Sequence, residues 1–326
     1  MRRVAVIYIA DERYHQYTEI SIAALAAFHE RPLDFYFMQR GYERAISPGL
    51  AAFLSGRSHF IEITNATTGV IPRLSRREKK HYITDTVLLK PFAIDNIANK
   101  YDRVVYLDGD VLAASPIDFN EMPHFDCPIA AAYDFPSYIT IGGENLDIYL
   151  SDSQFSPEFF NAGVLIVNTT AWMRSDFVNS YSDNLRRHDE LCPYRHNELL
   201  RAIPCKSWDQ CAFNMTVNGN WSQLSQRWNA QKPLRHTSVW KSAYLRHYIG
   251  RRKFVPLYNR ECDRKDHRLL GEISREAGLR IPGLQRYDGG LAFFLDGLRY
   301  RKQTKSYLDT ISLLTERARR RGPVID

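Results

Sequence analysis

The feature that most constrains this chain is the strand-like run Arg103-Val-Val-Tyr-Leu107, which breaks off into Asp108-Gly109-Asp110. A β-branched and aromatic run of this kind reads as a buried strand. Two carboxylates set directly after it would be costly without a partner. In extended backbone, residues i and i+2 point the same way, so Asp108 and Asp110 converge at the carboxyl end of the strand. That end is where open α/β sheets bind ligands. Two hard oxygen donors suit Mg²⁺ or Mn²⁺, which would then bridge to a diphosphate. Gly109 is expected to leave the backbone open to a ligand.

The flanking sequence supplies the rest of such a sheet. Val4 to Ile9, Leu33 to Met38, His59 to Ile63, Ile129 to Tyr133 and Ala162 to Asn168 read as further strands. A helix is expected from Thr18, as N-cap, to His29, with Ile20, Ala23, Ala24 and Ala27 on one face. A second should begin near Pro91, a favoured first-turn position, and end before Tyr101. This alternation predicts an α/β fold with helices on the faces of the sheet. Arg76 to His81 reads as a solvated basic stretch. Composition shifts after about Pro256, where charged residues crowd Asn259 to Arg268, so a boundary is expected between residues 1–256 and 257–326. In the tail, Tyr307, Ile311 and Leu314 fall at helical spacing among Arg301, Lys302, Lys305, Arg317, Arg319, Arg320 and Arg321. Such a helix either packs on the domain with solvated charges or lies on an anionic membrane.

The formal charge of +7, from 44 basic and 37 acidic residues, favours anionic partners such as nucleotide diphosphates, acidic glycans or lipid surfaces. No nucleic-acid motif accompanies it. Five scattered cysteines without C-x-x-C spacing fit reduced thiols of a cytosolic enzyme. The apolar run Val4 to Ala10 is short for a secretory signal, and no stretch approaches the roughly 20 apolar residues of a membrane span. A cytoplasmic protein is expected, with peripheral contact to the inner membrane face through the tail as the alternative setting.

Three segments in order give the chain a family resemblance over Val4 to Phe254. They are Tyr101-Asp-Arg-Val-Val-Tyr-Leu-Asp-Gly-Asp110, Phe160-Asn-Ala-Gly-Val-Leu-Ile-Val-Asn168 and His247-Tyr-Ile-Gly250-Arg-Arg-Lys253. Together the sequence resembles glycosyltransferase family 8, retaining enzymes that use UDP-sugars and that include bacterial lipooligosaccharide galactosyltransferases and glycogenin. The resemblance implies a GT-A type, Rossmann-like fold with a helical basic C-terminal extension. It implies a metal site of Asp108, Asp110 and His247, with Asp108 also contacting the nucleotide ribose. Gly250 and Lys253 would hold the diphosphate, and Lys90 the sugar-phosphate end. Asp11 and Tyr14 would receive the uracil, with Arg13 where Asn is commoner. Asn161, Ala162 and Gly163 would line the donor pocket, Asp134 would bond sugar hydroxyls, and Gln210 of Asp209-Gln210 would lie against the anomeric carbon. Cys211 departs from the family's Asp-Gln-Asp. Asn214 and Asn229 also fall at family positions, where loop or cap roles are equally open.

The reaction implied is transfer of galactose or glucose from a UDP-sugar to a glycan or lipid-linked glycan, with Mn²⁺ or Mg²⁺. Two rivals remain. The Asp108 segment also resembles the nucleophile segment of haloacid-dehalogenase-like phosphatases, but it begins late and the chain has no Asp-Asp pair. A non-catalytic or weakly catalytic UDP-sugar-binding protein would fit the Cys211 departure.

Overall fold

The computed structural model describes residues 4–65, 85–136, 158–191, 208–250, 253–254, 261–284 and 289–326. The strands are β1 (Val4–Ala10), β2 (Leu33–Gln39), β3 (Phe60–Asn65), β4 (Arg103–Leu107), β5 (Val111–Ala113), β6 (Ile129–Ala131), β7 (Val164–Asn168), β8 (Ser222–Gln223), β9 (Ala230–Gln231) and β10 (Leu245–His247). The helices are α1 (His15–Phe28), α2 (Pro48–Gly56), α3 (Lys90–Ala98), α4 (Thr169–Arg174), α5 (Phe177–Leu191), α6 (Trp208–Val217), α7 (Ser238–Lys241), α8 (Arg264–Glu276), α9 (Gly289–Arg299) and α10 (Arg301–Arg321). The expected basic stretch Arg76 to His81 lies outside the described residues.

The main sheet runs β3-β2-β1-β4-β7-β6-β8, and β5-β10-β9 form a small second sheet. β3, β2, β1 and β4 are mutually parallel, whereas β7 runs antiparallel to both β4 and β6. Because alternate residues of a strand face opposite ways, β1 feeds two cores. Val4, Val6, Tyr8 and Ala10 enter one apolar cluster, and Ala5, Ile7 and Ile9 enter the other. Burial on both faces explains why β1 reads as an unbroken apolar run. The mixed sheet with helices on both sides is the expected GT-A type α/β fold.

Two local expectations need correction. Helix α1 starts at His15, not at Thr18, because Asp11 caps a preceding 3-10 turn, Glu12–Tyr14, by accepting from the Arg13 and Tyr14 amides. Thr18 therefore sits inside the helix and donates its hydroxyl to the Tyr14 carbonyl at 2.9 Å. Gly109 is not open to a ligand, since a Cβ there would run into Thr18 Oγ1. The glycine is needed so that α1 can pass under the β4–β5 turn.

The C-terminal helix α10 is built onto the main sheet. In α10, Leu314 and Ala318 are buried in the second cluster, with Tyr307 and Ile311 packed against it. Tyr307 meets Phe135 edge-on at 5.6 Å, and Ile325 forms a bridge with Leu224 beyond β8. The apolar face foreseen in the tail is thus spent on the protein itself. None of the helices among the described residues is long and apolar enough to cross a membrane.

Candidate active site

The site forms where the chain leaves the large sheet for the small one. β4 ends at Leu107, and Asp108-Gly109-Asp110 turn into β5, closed by a bond from the Val111 amide to the Asp108 carbonyl at 3.0 Å. β10 pairs antiparallel with β5 so that His247 stands opposite Val111, and the Tyr248 amide bonds the Asp110 carbonyl at 3.0 Å. This register delivers the imidazole to the two carboxylates from 137 residues further along the chain (247 − 110). His247 Nε2 lies 3.3 Å from Asp110 Oδ1 and 3.8 Å from Asp108 Oδ2. The three side chains each offer a ligand atom, all within 4.8 Å of one another. Two carboxylates and an imidazole form a donor set that fits Mn²⁺, and the carboxylates alone fit Mg²⁺.

A relay of amides holds the imidazole. The Gly163 amide donates to Asn161 Oδ1 at 3.0 Å, and Asn161 Nδ2 donates to Asp134 at 2.9 Å, which orients the Asn161 amide. Asn229 Nδ2 then donates to Asn161 Oδ1 at 2.9 Å, leaving its own Oδ1 to accept from His247 Nδ1 at 3.0 Å. That bond makes Nδ1 the donor to Asn229 and points Nε2 toward the carboxylates. Gly163 is required here: a Cβ would strike His247 Cε1 and lie 2.8 Å from Asp108 Oδ2.

Two buried ammonium groups flank the carboxylates. Lys253 Nζ pairs with Asp110 Oδ2. Burial works to raise the Asp110 pKa, but Lys253 and His247 outweigh it and hold the carboxyl well below the usual range. Lys90 Nζ contacts Asp108 at 3.2 Å, Asp209 at 2.9 Å and the Ala162 carbonyl at 3.1 Å. Burial opposes its charge, yet Asp108 and Asp209 together raise its pKa above the ordinary lysine value. Tyr106, which was not singled out from sequence, donates its hydroxyl to Asp108 at 2.7 Å. Its place two residues before Asp108 on β4, on the same face, was the available signal.

Gln210, at the start of α6, accepts from the Ala162 amide at 3.0 Å, which fixes its side chain at the Asn161–Gly163 turn. Cys211 turns away and is buried in the second apolar cluster. Asn214 clasps both backbone groups of Phe160 at 2.9 and 3.0 Å, a staple between α6 and the Asn161 turn. The Tyr14 ring lies under Lys253, 5.5 Å from ammonium to centroid. Asp11 stands apart from the carboxylate cluster, one oxygen capping its turn and the other paired with Arg13 at 2.8 Å. Gly250 has φ +90°, and a Cβ on it would come within 3.7 Å of Lys232 Nζ. Lys232 is a further cation missed from sequence; its ammonium is 3.6 Å from Glu261, and burial pulls its pKa down.

Comparison with known proteins bears on the family and the fold. The family model described as glycosyl transferase family 8 matches residues 5–254. The chain is 24% identical over 233 residues to glycosyltransferase GlyA of Streptococcus pneumoniae serotype 4 (strain ATCC BAA-334 / TIGR4), a match spanning 69% of this chain but only 27% of that protein. Its fold is similar to that of the galactosyltransferase LgtC, solved with donor and acceptor sugar analogues, with a TM-score of 0.59 and 20% identity over 86% of this chain and 99% of that one. It is also similar to glycosyltransferase GlyE of Streptococcus pneumoniae TIGR4, with a TM-score of 0.55 and 17% identity over 86% of this chain and 66% of that one.

Proposed function

The chain belongs to glycosyltransferase family 8 and is a hexosyltransferase by that membership, and on that premise we propose that it moves galactose or glucose from a UDP-sugar to a glycan or lipid-linked glycan with retention of configuration. The observation that carries the reading is the convergence of Asp108, Asp110 and His247 within 4.8 Å. These three would hold Mn²⁺ or Mg²⁺, and when bound the ion supplies positive charge for the diphosphate of the departing UDP.

The remaining residues act around the bond that breaks. Lys253 and the Gly250 amide face the diphosphate, and Lys90 the sugar-phosphate end. Tyr14 and Asp11 receive the uracil, once the Asp11 oxygen facing Arg13 is released. Asn161, Ala162, Gly163 and Asp134 bound the sugar. Gln210, an amide and a poor nucleophile, is held by the Ala162 amide at 3.0 Å. The acceptor hydroxyl therefore attacks the same face that UDP leaves, on an oxocarbenium-like sugar, and its proton passes to the departing phosphate oxygen. Asp209 works through Lys90, which it touches at 2.9 Å. Residues 1–256 form the catalytic domain in this reading and residues 257–326 its extension, a division supported by the family match ending at residue 254. The setting proposed is cytoplasmic, where a UDP-sugar and a lipid-linked acceptor meet.

The test is to incubate the protein with a panel of UDP-sugars, with Mn²⁺ or with a chelator. UDP release should follow, be abolished by the chelator, and yield an α-linked product once an acceptor is supplied. A β-linked product would rule out retention, and tight UDP-sugar binding without turnover would favour the UDP-sugar-binding reading suggested by Cys211.

A further inference from the structure

Helix α9 is built inside out. Its polar residue Asp296 faces the protein, where it accepts from Arg235 at 2.7 Å and from His236 at 3.1 Å. Phe293 packs on the same His236 ring with centroids 4.6 Å apart, and Gly297 is so close that a Cβ would sit 3.1 Å from His236 Nδ1. The opposite side carries Leu291, Phe294, Leu295 and Leu298, which are 67%, 60%, 46% and 37% exposed. Their spacing of three, four and seven residues makes one stripe along the helix. Single exposed apolar residues need no explanation, but four in a line on one short helix mark a contact surface. The stripe is the one on which the sequence expectation of a membrane face did not fall, since that pointed to α10.

Charge indicates what covers it. Arg299, Arg301 and Lys305 are exposed just beyond the stripe, with Leu308, 40% exposed, continuing the apolar surface onto α10. At the other end Arg264 approaches Gly290, within 2.8 Å of where a Cβ would be. Between residues 289 and 305 the single acidic side chain is Asp296, already consumed by Arg235 and His236. An apolar stripe bordered by cations at both ends matches a bilayer surface bearing anionic headgroups. A second copy is disfavoured, because a two-fold contact through this face would set Arg299 and Arg301 against their own counterparts if the helices run parallel and near Arg264 if they run antiparallel.

We propose that α9 is a membrane-docking helix that lies in an anionic lipid surface through Leu291, Phe294, Leu295 and Leu298, with Arg299, Arg301 and Lys305 on the headgroups. It goes beyond the proposed transfer reaction and stands for any donor.

The experiment is co-sedimentation of the full chain with vesicles of phosphatidylcholine alone or of phosphatidylcholine mixed with phosphatidylglycerol, whose negative surface potential attracts basic residues. Binding to the anionic vesicles is expected, weakening in high salt. Leu291→Ser with Phe294→Ser should lower it roughly tenfold or more, while Arg299→Glu with Arg301→Glu should remove its dependence on phosphatidylglycerol. Thermal melting of each variant establishes that it is folded. The proposal is overturned if wild type ignores anionic vesicles, if the folded Leu291/Phe294 variant binds unchanged, or if light scattering shows a dimer that this variant dissolves.

Discussion

Lys253 and Asp110, 143 residues apart, form a buried ion pair at the position a divalent cation would share with Asp108 and His247. The lysine therefore competes with the metal for one carboxylate, and must leave it before it can reach a phosphate. Lys253→Met removes the competitor. Mn²⁺ should bind this variant more tightly than wild type by calorimetry, and should raise its melting temperature more, since an unpaired buried carboxylate gains most from a cation. UDP release should nevertheless slow about 10²-fold, because a cation facing the leaving group is gone. Weaker Mn²⁺ binding by the variant would show that Lys253 supports the metal rather than opposing it.

Asp110→Ala separates metal chemistry from donor binding. If the lost interaction is worth about 3–4 kcal/mol in the transition state, turnover should fall roughly 10²–10³-fold at saturating Mn²⁺. Steady-state UDP release with the preferred donor is the measurement, and unchanged turnover would remove Asp110 from the site.

Asn229→Ala tests the relay behind His247. The imidazole would lose the acceptor that sets its Nδ1–H, 3.0 Å away. Losses of this kind lower metal affinity about 10–100-fold. The Mn²⁺ concentration for half-activation should rise by that factor, with turnover largely regained at saturation. A variant that loses turnover at every Mn²⁺ concentration would instead place Asn229 against the substrate.

Strand β4 and its two aspartates could be read from sequence because charges directly after a buried run demand a partner. The alternation of strands and helices was equally plain, since both faces of β1 are covered and its residues stay apolar throughout. His247 could be reached only through family resemblance. The pairing that brings it to Asp110 joins β5 and β10, three residues each, too short to show a pattern. Contacts across the fold left no local trace: Thr18 beneath Gly109, Lys253 on Asp110, Lys232 beside Gly250. The start of α1 was misplaced because Thr18 resembles a cap, whereas the capping oxygen belongs to Asp11, seven residues earlier, on the 3-10 turn that leads into the helix. The outward face of α9 was hidden for the opposite reason, as an apolar stripe reads as core until its surroundings are known.

Gly163→Ala should damage the site without unfolding the protein. The added methyl would meet His247 Cε1 and come within 2.8 Å of Asp108 Oδ2, so both ligands must shift. Mn²⁺ affinity should drop at least tenfold, in line with losing the orientation of a ligand, while the far-ultraviolet circular dichroism spectrum stays that of wild type. Gly109→Ala makes the contrast. Its methyl would meet Thr18 Oγ1 inside α1, so a loss of stability should accompany any loss of metal, and Thr18→Ala, which removes that oxygen, should partly relieve it.

His236 gives the anchor of α9 a dependence on pH. Burial, with the nearby Arg235, lowers its pKa below the ordinary 6.5, against the pull of Asp296 and Glu261. The folded protein therefore binds this proton less readily than the unfolded chain. As pH falls through about 6.5 the unfolded chain takes up the proton first, and stability is lost. Above that value the contribution is fully present. Denaturant midpoints measured from pH 8 down to pH 5 should decline more steeply for wild type than for His236→Gln. His29, whose pKa is lowered chiefly by burial, contributes equally to both and cancels in the comparison. Hydrogen exchange should place the difference in α9, because protonation adds a second cation beside Arg235 against the single carboxylate of Asp296. Parallel midpoint curves for the two proteins would mean that His236 keeps its solution affinity for protons and that the anchor does not respond to acid.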